Sequence, residues 1–180
     1  MMAAALLIVV MMLVAFNVKE NNKESSSRTA VMVTDWERAK AYTLEYLNAS
    51  TDEVVNFKPT AEMRTFGQQM LHLAEANYGF ASSASGKANP VPRGSLEKSD
   101  KYKTKDAVAK EVMASYDFVI AAVNEIPESK MNEMIKLFDR FEVSRGVAMD
   151  KAFEHQTHHR GQTTVYLRLK GIAPPNEKLF

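Results

Sequence analysis

The apolar positions of this 180-residue chain fall first into one unbroken block and then into helical stripes. Met1 to Phe16 holds no polar residue, whereas residues 17–28 (NVKENNKESSSR) are almost wholly polar. From Thr34 the apolar residues recur every three or four positions, which places them on one face of a helix. Trp36, Ala39, Thr43, Leu44 and Leu47 define a first helix ending near Asn48, and Thr34-Asp35-Trp36-Glu37 reads as its capping box. Pro59 biases Lys58 out of the helical region. Thr60 is then expected to cap a second helix to about Ser82, with Glu62 in its first turn and Met63, Phe66, Met70, Leu73 and Ala74 as its apolar face. Residues 83–103 are a long irregular stretch, equally readable as a solvated connection or as a binding loop.

Thr104 caps a third helix through about Asn124, with Val108, Val112, Tyr116, Val119 and Val123 at helical spacing before Pro127 stops it. Residues 131–142 show mixed periodicity and fit either a short helix or an extended crossover. A last helix runs from Ser144 to Lys170, about 40 Å at the usual rise per residue. Gly171 serves as its left-handed cap, and Arg168 and Lys170 complement the negative end of its dipole. Four substantial helices without alternating strands predict an all-α fold, a four-helix bundle with a separate apolar N-terminal segment. The expected organisation is a signal peptide or membrane anchor over 1–16, a disordered tether over 17–30 and one bundle domain over 31–180.

Sixteen apolar residues are short for a bilayer span, which needs about 20, and fit the apolar region of an export signal better. An uncleaved anchor and a misplaced start are the rival readings. Export across the inner membrane is the expectation, with any membrane contact confined to this segment. Composition narrows the chemistry further. The net charge is +1, from 23 basic and 22 acidic residues mixed along the chain, which gives no field for holding nucleic acid. The chain has no cysteine, so disulfides, thiolate nucleophiles and cysteine-type zinc sites are excluded. Any metal here is held by His, Asp, Glu or neutral oxygens.

Three of the four histidines lie in His155-Gln156-Thr157-His158-His159-Arg160-Gly161-Gln162, and the fourth is His72 in the second helix. His155 and His159, four apart, share a helix face. A third ring from a facing helix completes a three-histidine metal site with an open coordination position. The plainer reading is a set of ordinary solvent or core histidines, but Ala148, Ala152, His155, His159, Gln162 and Tyr166 form a stripe too polar for a packing seam. His158 is about 100° round the helix and is expected to face solvent. Gln69 and Glu75, one turn either side of His72, are candidates for orienting the rings, with a solvated carboxylate the even alternative for Glu75. Gly161 disfavours a helix interior, which suggests close approach of a neighbouring helix. Arg160 reads as a surface or inter-helix residue.

Phe57-Lys58-Pro59-Thr60, Met63-Arg64-Thr65-Phe66, Met70-Leu71-His72-Leu73-Ala74 and the His155–Gln162 element with Tyr166-Leu167-Arg168 resemble the DinB-like (DinB/YfiT) family over residues 34–173. The resemblance implies a four-helix bundle, often a homodimer, with a divalent metal on His72, His155 and His159. It also implies kinship with thiol transferases that use low-molecular-weight thiols and with a mycothiol-dependent isomerase. The expected function is a metal-dependent enzyme acting on a small molecule, thiol transferase-like or hydrolase-like. Gln162 and Tyr166 are the candidate catalytic donors to developing negative charge. The metal is expected to be zinc or nickel, with iron(II) also suited to three imidazoles. A non-catalytic metal- or ligand-binding module is the alternative, and an incidental histidine cluster the third reading.

Overall fold

The computed structural model describes residues 27–180. The apolar segment, residues 17–26 of the expected tether, and with them the export and anchoring expectations, lie outside the described residues. No helix among the described residues is long and apolar enough to cross a membrane.

The described chain folds as α1 (Arg28–Ala49), α2 (Asp52–Asn56), α3 (Phe66–Ser85), α4 (Lys105–Glu125), a 3-10 turn (Glu128–Lys130), a hairpin of β1 (Met134–Leu137) and β2 (Phe141–Ser144), and α5 (Arg145–Leu169). The long helices α1, α3, α4 and α5 make the bundle: α3 packs against both α4 and α5, α1 closes the other side against the same two, and α2 lies on α3. The all-α, four-helix-bundle expectation therefore holds, with a small hairpin added.

Helix α1 starts six residues before the expected box. Ser27 accepts from the Ala30 amide, and Glu128, from the far 3-10 turn, accepts from the Arg28 and Thr29 amides at 3.2 and 3.0 Å. An acid at this end is favoured by the helix dipole. Thr34 sits inside the helix with its hydroxyl donating to the Ala30 carbonyl, so residues 28–30 are helix rather than tether. Nor does Thr60 cap the second long helix. Thr65 does, in a reciprocal box with Gln68 in which each side chain takes the other's amide at 3.0 Å. Glu62 and the 37%-exposed Met63 consequently precede the helix instead of lining it. The cap read at Thr104, the helix start at Ser144 and the left-handed Gly171 stand as expected, and Ser144 itself is the N-cap, its side chain accepting from the Val147 amide. Residues 131–142 resolve into the extended alternative, an antiparallel pair with Leu137 opposite Phe141.

Trp36 anchors the core, edge-on to Tyr116 and Phe153, among Phe66, Met70, Leu73, Val112 and Leu167. Ala148 and Ala152, both fully buried, give α5 the small surface that close packing needs.

Candidate metal centre

Helix α5 carries His155 and His159 one turn apart, and α3 brings His72 against them. One nitrogen from each ring lies within 4.8 Å of the other two. Ring centroids are 4.3 Å apart for His155 and His159, 4.6 Å for His72 and His159, and 5.3 Å for His72 and His155. His159 is buried, and the other two rings are half-buried.

Two of the rings have a hydrogen-bond partner and one buried ring nitrogen of the third has none. Glu97 Oε1 lies 2.6 Å from His72 Nδ1. Its second oxygen takes the Arg64 Nε at 2.6 Å. Burial works to raise the Glu97 carboxyl, but hydrogen bonds from Arg64 and His72 outweigh it and hold the group below its ordinary range. Gln69 Nε2 lies 2.9 Å from His159 Nδ1, so the candidate orienting residue is in place. His155 Nδ1 is buried and has no hydrogen-bond partner among the described residues. Burial, then repulsion from neighbouring histidines and Arg64, pushes His155 down to about 4 and His159 down to about 3. Both rings are therefore neutral, with lone pairs available, throughout the physiological range.

Glu75 is neither a ring partner nor a solvated carboxylate. Its oxygens accept the Gly94 amide at 2.8 Å and the Glu97 amide at 3.3 Å. It thereby folds the α3–α4 loop back onto α3 and delivers Glu97 to His72. Glu97 escaped the sequence reading because no local pattern marks it in the long loop, and Arg64, though within the Met63-Arg64-Thr65-Phe66 motif, carries no role there because only the fold joins the two.

The other candidates stand apart. Exposed His158 stands edge-on to His159 with centroids 5.0 Å apart but lies outside the converging set, its Nε2 lying 2.9 Å from the Gln162 amide nitrogen. Tyr166, 2% exposed, donates its hydroxyl to the Arg64 carbonyl at 2.9 Å. Neither Gln162 nor Tyr166 lines the cavity beside the triad, so the expected donors are placed elsewhere. Arg160 is an inter-helix residue, 4.4 Å over the Tyr42 ring and donating to Gln156 Oε1 at 3.0 Å. A Cβ added to Gly161 would meet nothing within 4 Å, so no neighbouring helix explains that glycine.

A cavity of about 420 Å³ opens against His72 and His155. With three imidazoles converging, two of them held neutral by burial, one buried ring atom unpartnered and space on one side, the donor set suits a divalent ion with an open position.

Comparison with known proteins places this architecture. Solved structures similar to it include a DinB-like protein from Bacillus cereus ATCC 10987, with TM-score 0.65 and 20% identity over 82% of this chain and 95% of that one. The DinB-like protein YjoA of Bacillus subtilis gives TM-score 0.63 at 20% identity, over 83% of this chain and 96% of its own. These likenesses speak to the fold. In sequence, the uncharacterized protein YrdA of Bacillus subtilis (strain 168) is 27% identical over 146 residues, 78% of this chain and 81% of that protein. The DinB family description matches residues 20–179, nearly the whole length: the chain belongs to the DinB family.

Proposed function

We propose that His72, His155 and His159 hold a divalent metal and that the protein is a metal-dependent enzyme acting on a small molecule, as a thiol transferase rather than a hydrolase. The observation that carries the metal is the buried, unpartnered His155 Nδ1 within a set of converging imidazoles. Zinc or nickel suits three neutral nitrogens, as does iron(II). When bound, such an ion supplies a Lewis acid that eases ionisation of a water or thiol reaching it.

The chain's own groups do the positioning. Glu97 fixes His72, Gln69 orients His159, and Phe80, with its ring 5.9 Å from that of His155, presents an apolar wall. A hydrolase of this kind needs a free carboxylate to take a proton from water, and Glu75, which lines the cavity, is not free. Its oxygens are engaged by loop amides, while those of Glu97 are engaged by Arg64 and His72. A thiol ionises near 8.5 unaided, far more readily than water, so it does not require that base. In the transfer, sulfur bonds to an electrophilic carbon, the leaving group departs with its electron pair, and the thiol proton passes to water.

Protein purified without added metal is expected to carry about one ion per chain by elemental analysis. His72→Ala, His155→Ala and His159→Ala each lose it, whereas His158→Ala keeps it, and loss in H158A alone would reject this ligand set. An aromatic electrophile offered with a panel of thiols, beside esters and amides, then tests the reaction. Ester hydrolysis without thiol replaces transferase by hydrolase, and inertness of the metal-loaded protein toward all of them leaves a non-catalytic binding module. We propose in addition that Met1–Phe16 directs export and that the bundle pairs as a homodimer. Mass spectrometry of the mature N-terminus and light scattering read these separately.

A further inference from the structure

The cavity beside the triad has an outer wall made by the hairpin. Phe138, at its tip, holds φ 53, and Asp139 follows at φ 57. Bulky side chains rarely occupy this left-handed region. Phe138 is nevertheless 44% exposed, so core burial does little to offset the strain. Its ring stands edge-on to Phe80 with centroids 4.8 Å apart. Gly79 leaves room for it, since a Cβ there would lie 3.3 Å from Phe138 Cε1. An aromatic wall thus runs from the hairpin tip through Phe80 to His155. A strained residue that contributes little to the core points to a role in binding.

Besides the two histidines, the polar lining among the described residues consists of Glu75, Ser82, Ser83, Asn89, Arg93 and Asp139, of which Arg93 is the one cation. Arg93, on the α3–α4 loop, borders the cavity, and neither an ion pair nor a hydrogen bond engages it among the described residues. Of the acids bordering the cavity, Glu75 is engaged by loop amides and Asp139 stands exposed on the tip. An anionic group entering here is drawn to Arg93 and kept from Asp139.

We propose that this cavity takes its substrate as a small carboxylate with an apolar, ring-sized body. Phe80 and Phe138 hold the body, Arg93 holds the carboxylate, and the reacting carbon is left beside the triad. A volume of about 420 Å³ suits such a ligand. The assignment of a reacting carbon rests on the triad being the reaction centre; the binding does not.

The test uses the full chain, metal-loaded and metal-free, titrated calorimetrically with phenylacetate and with phenylacetamide. The carboxylate is expected to bind about tenfold tighter than the amide. Arg93→Gln removes that preference. Phe138→Asn, which tolerates positive φ, weakens both probes about fivefold while the melting temperature holds or rises. A merely structural Phe138 would lower the melting temperature and leave affinity alone. The proposal is overturned if R93Q keeps the preference, if F138N binds like the parent, or if neither probe binds. It is also overturned if the preference vanishes on metal removal, because the carboxylate then sat on the metal. Protein that never takes up metal but binds both probes with these dependences rejects the reading of the triad and keeps this one.

Discussion

Two helical glycines, Gly67 in α3 and Gly161 in α5, have opposite surroundings. A Cβ on Gly67 would stand 2.9 Å from Val55 Cγ1 and 3.1 Å from the Val55 carbonyl oxygen, so α2 depends on its absence. A Cβ on exposed Gly161 would enter open space. Gly161→Ala is therefore expected to stabilise the protein by up to about 1 kcal/mol through helix propensity. Gly67→Ala is expected to destabilise it by about 1–3 kcal/mol through overpacking. Denaturant melts of the two variants check this. A loss of stability in G161A would mean that a second copy covers that face in the assembled protein. The sequence reading put close approach at the wrong glycine because an isolated helical glycine says that backbone freedom or space is used, not which.

At the scale of elements, the α3–α4 loop is held as part of the site. Tyr166 of α5 takes the Arg64 carbonyl, Arg64 takes Glu97, and Glu97 takes His72, so a loop carboxylate connects α5 back to an α3 histidine of the triad. Partners of metal-binding histidines typically govern affinity by about tenfold to hundredfold. Glu97→Gln is expected to weaken metal binding by that amount, measured by competition with a chromophoric chelator; unchanged affinity would remove Glu97 from any orienting role. What the sequence showed and hid divides along the same line. The cap at Thr104, the helix start at Ser144, the stop at Gly171 and the phase of His155 and His159 are local, and each was legible. Glu128 capping α1 and Glu97 holding His72 join residues far apart in the chain, which spacing cannot reveal. The hairpin was obscured because alternation fails there: Met134 is 63% exposed and Phe141 48%, so its apolar residues do not mark one buried face. The five-residue α2 is too short for any stripe to register.

For the whole molecule, the same burial that prepares the triad ties stability to pH. His155 and His159 are pushed down to about 4 and about 3 in the fold, against an ordinary value of 6.5. Between those limits the unfolded chain binds protons that the folded chain refuses, so stability falls as pH falls. The carboxylates held low, such as Glu128 by the Thr29 amide and Glu133 by Arg145, act only near and below their ordinary 4.5. Burial pushes Tyr42, Tyr102 and Tyr116 up to about 12, which removes stability only as pH rises past 10. The histidines consequently dominate the interval from 7.5 to 5. The melting temperature of metal-free protein is expected to drop across it, and the His155→Asn/His159→Asn double variant is expected to flatten the slope. Added metal is expected to steepen the slope in the parent alone, because the proposed site takes an ion only on neutral rings. An equally steep slope in the metal-free double variant would place the proton uptake elsewhere and sever the link between the triad's burial and the acid limit of the fold.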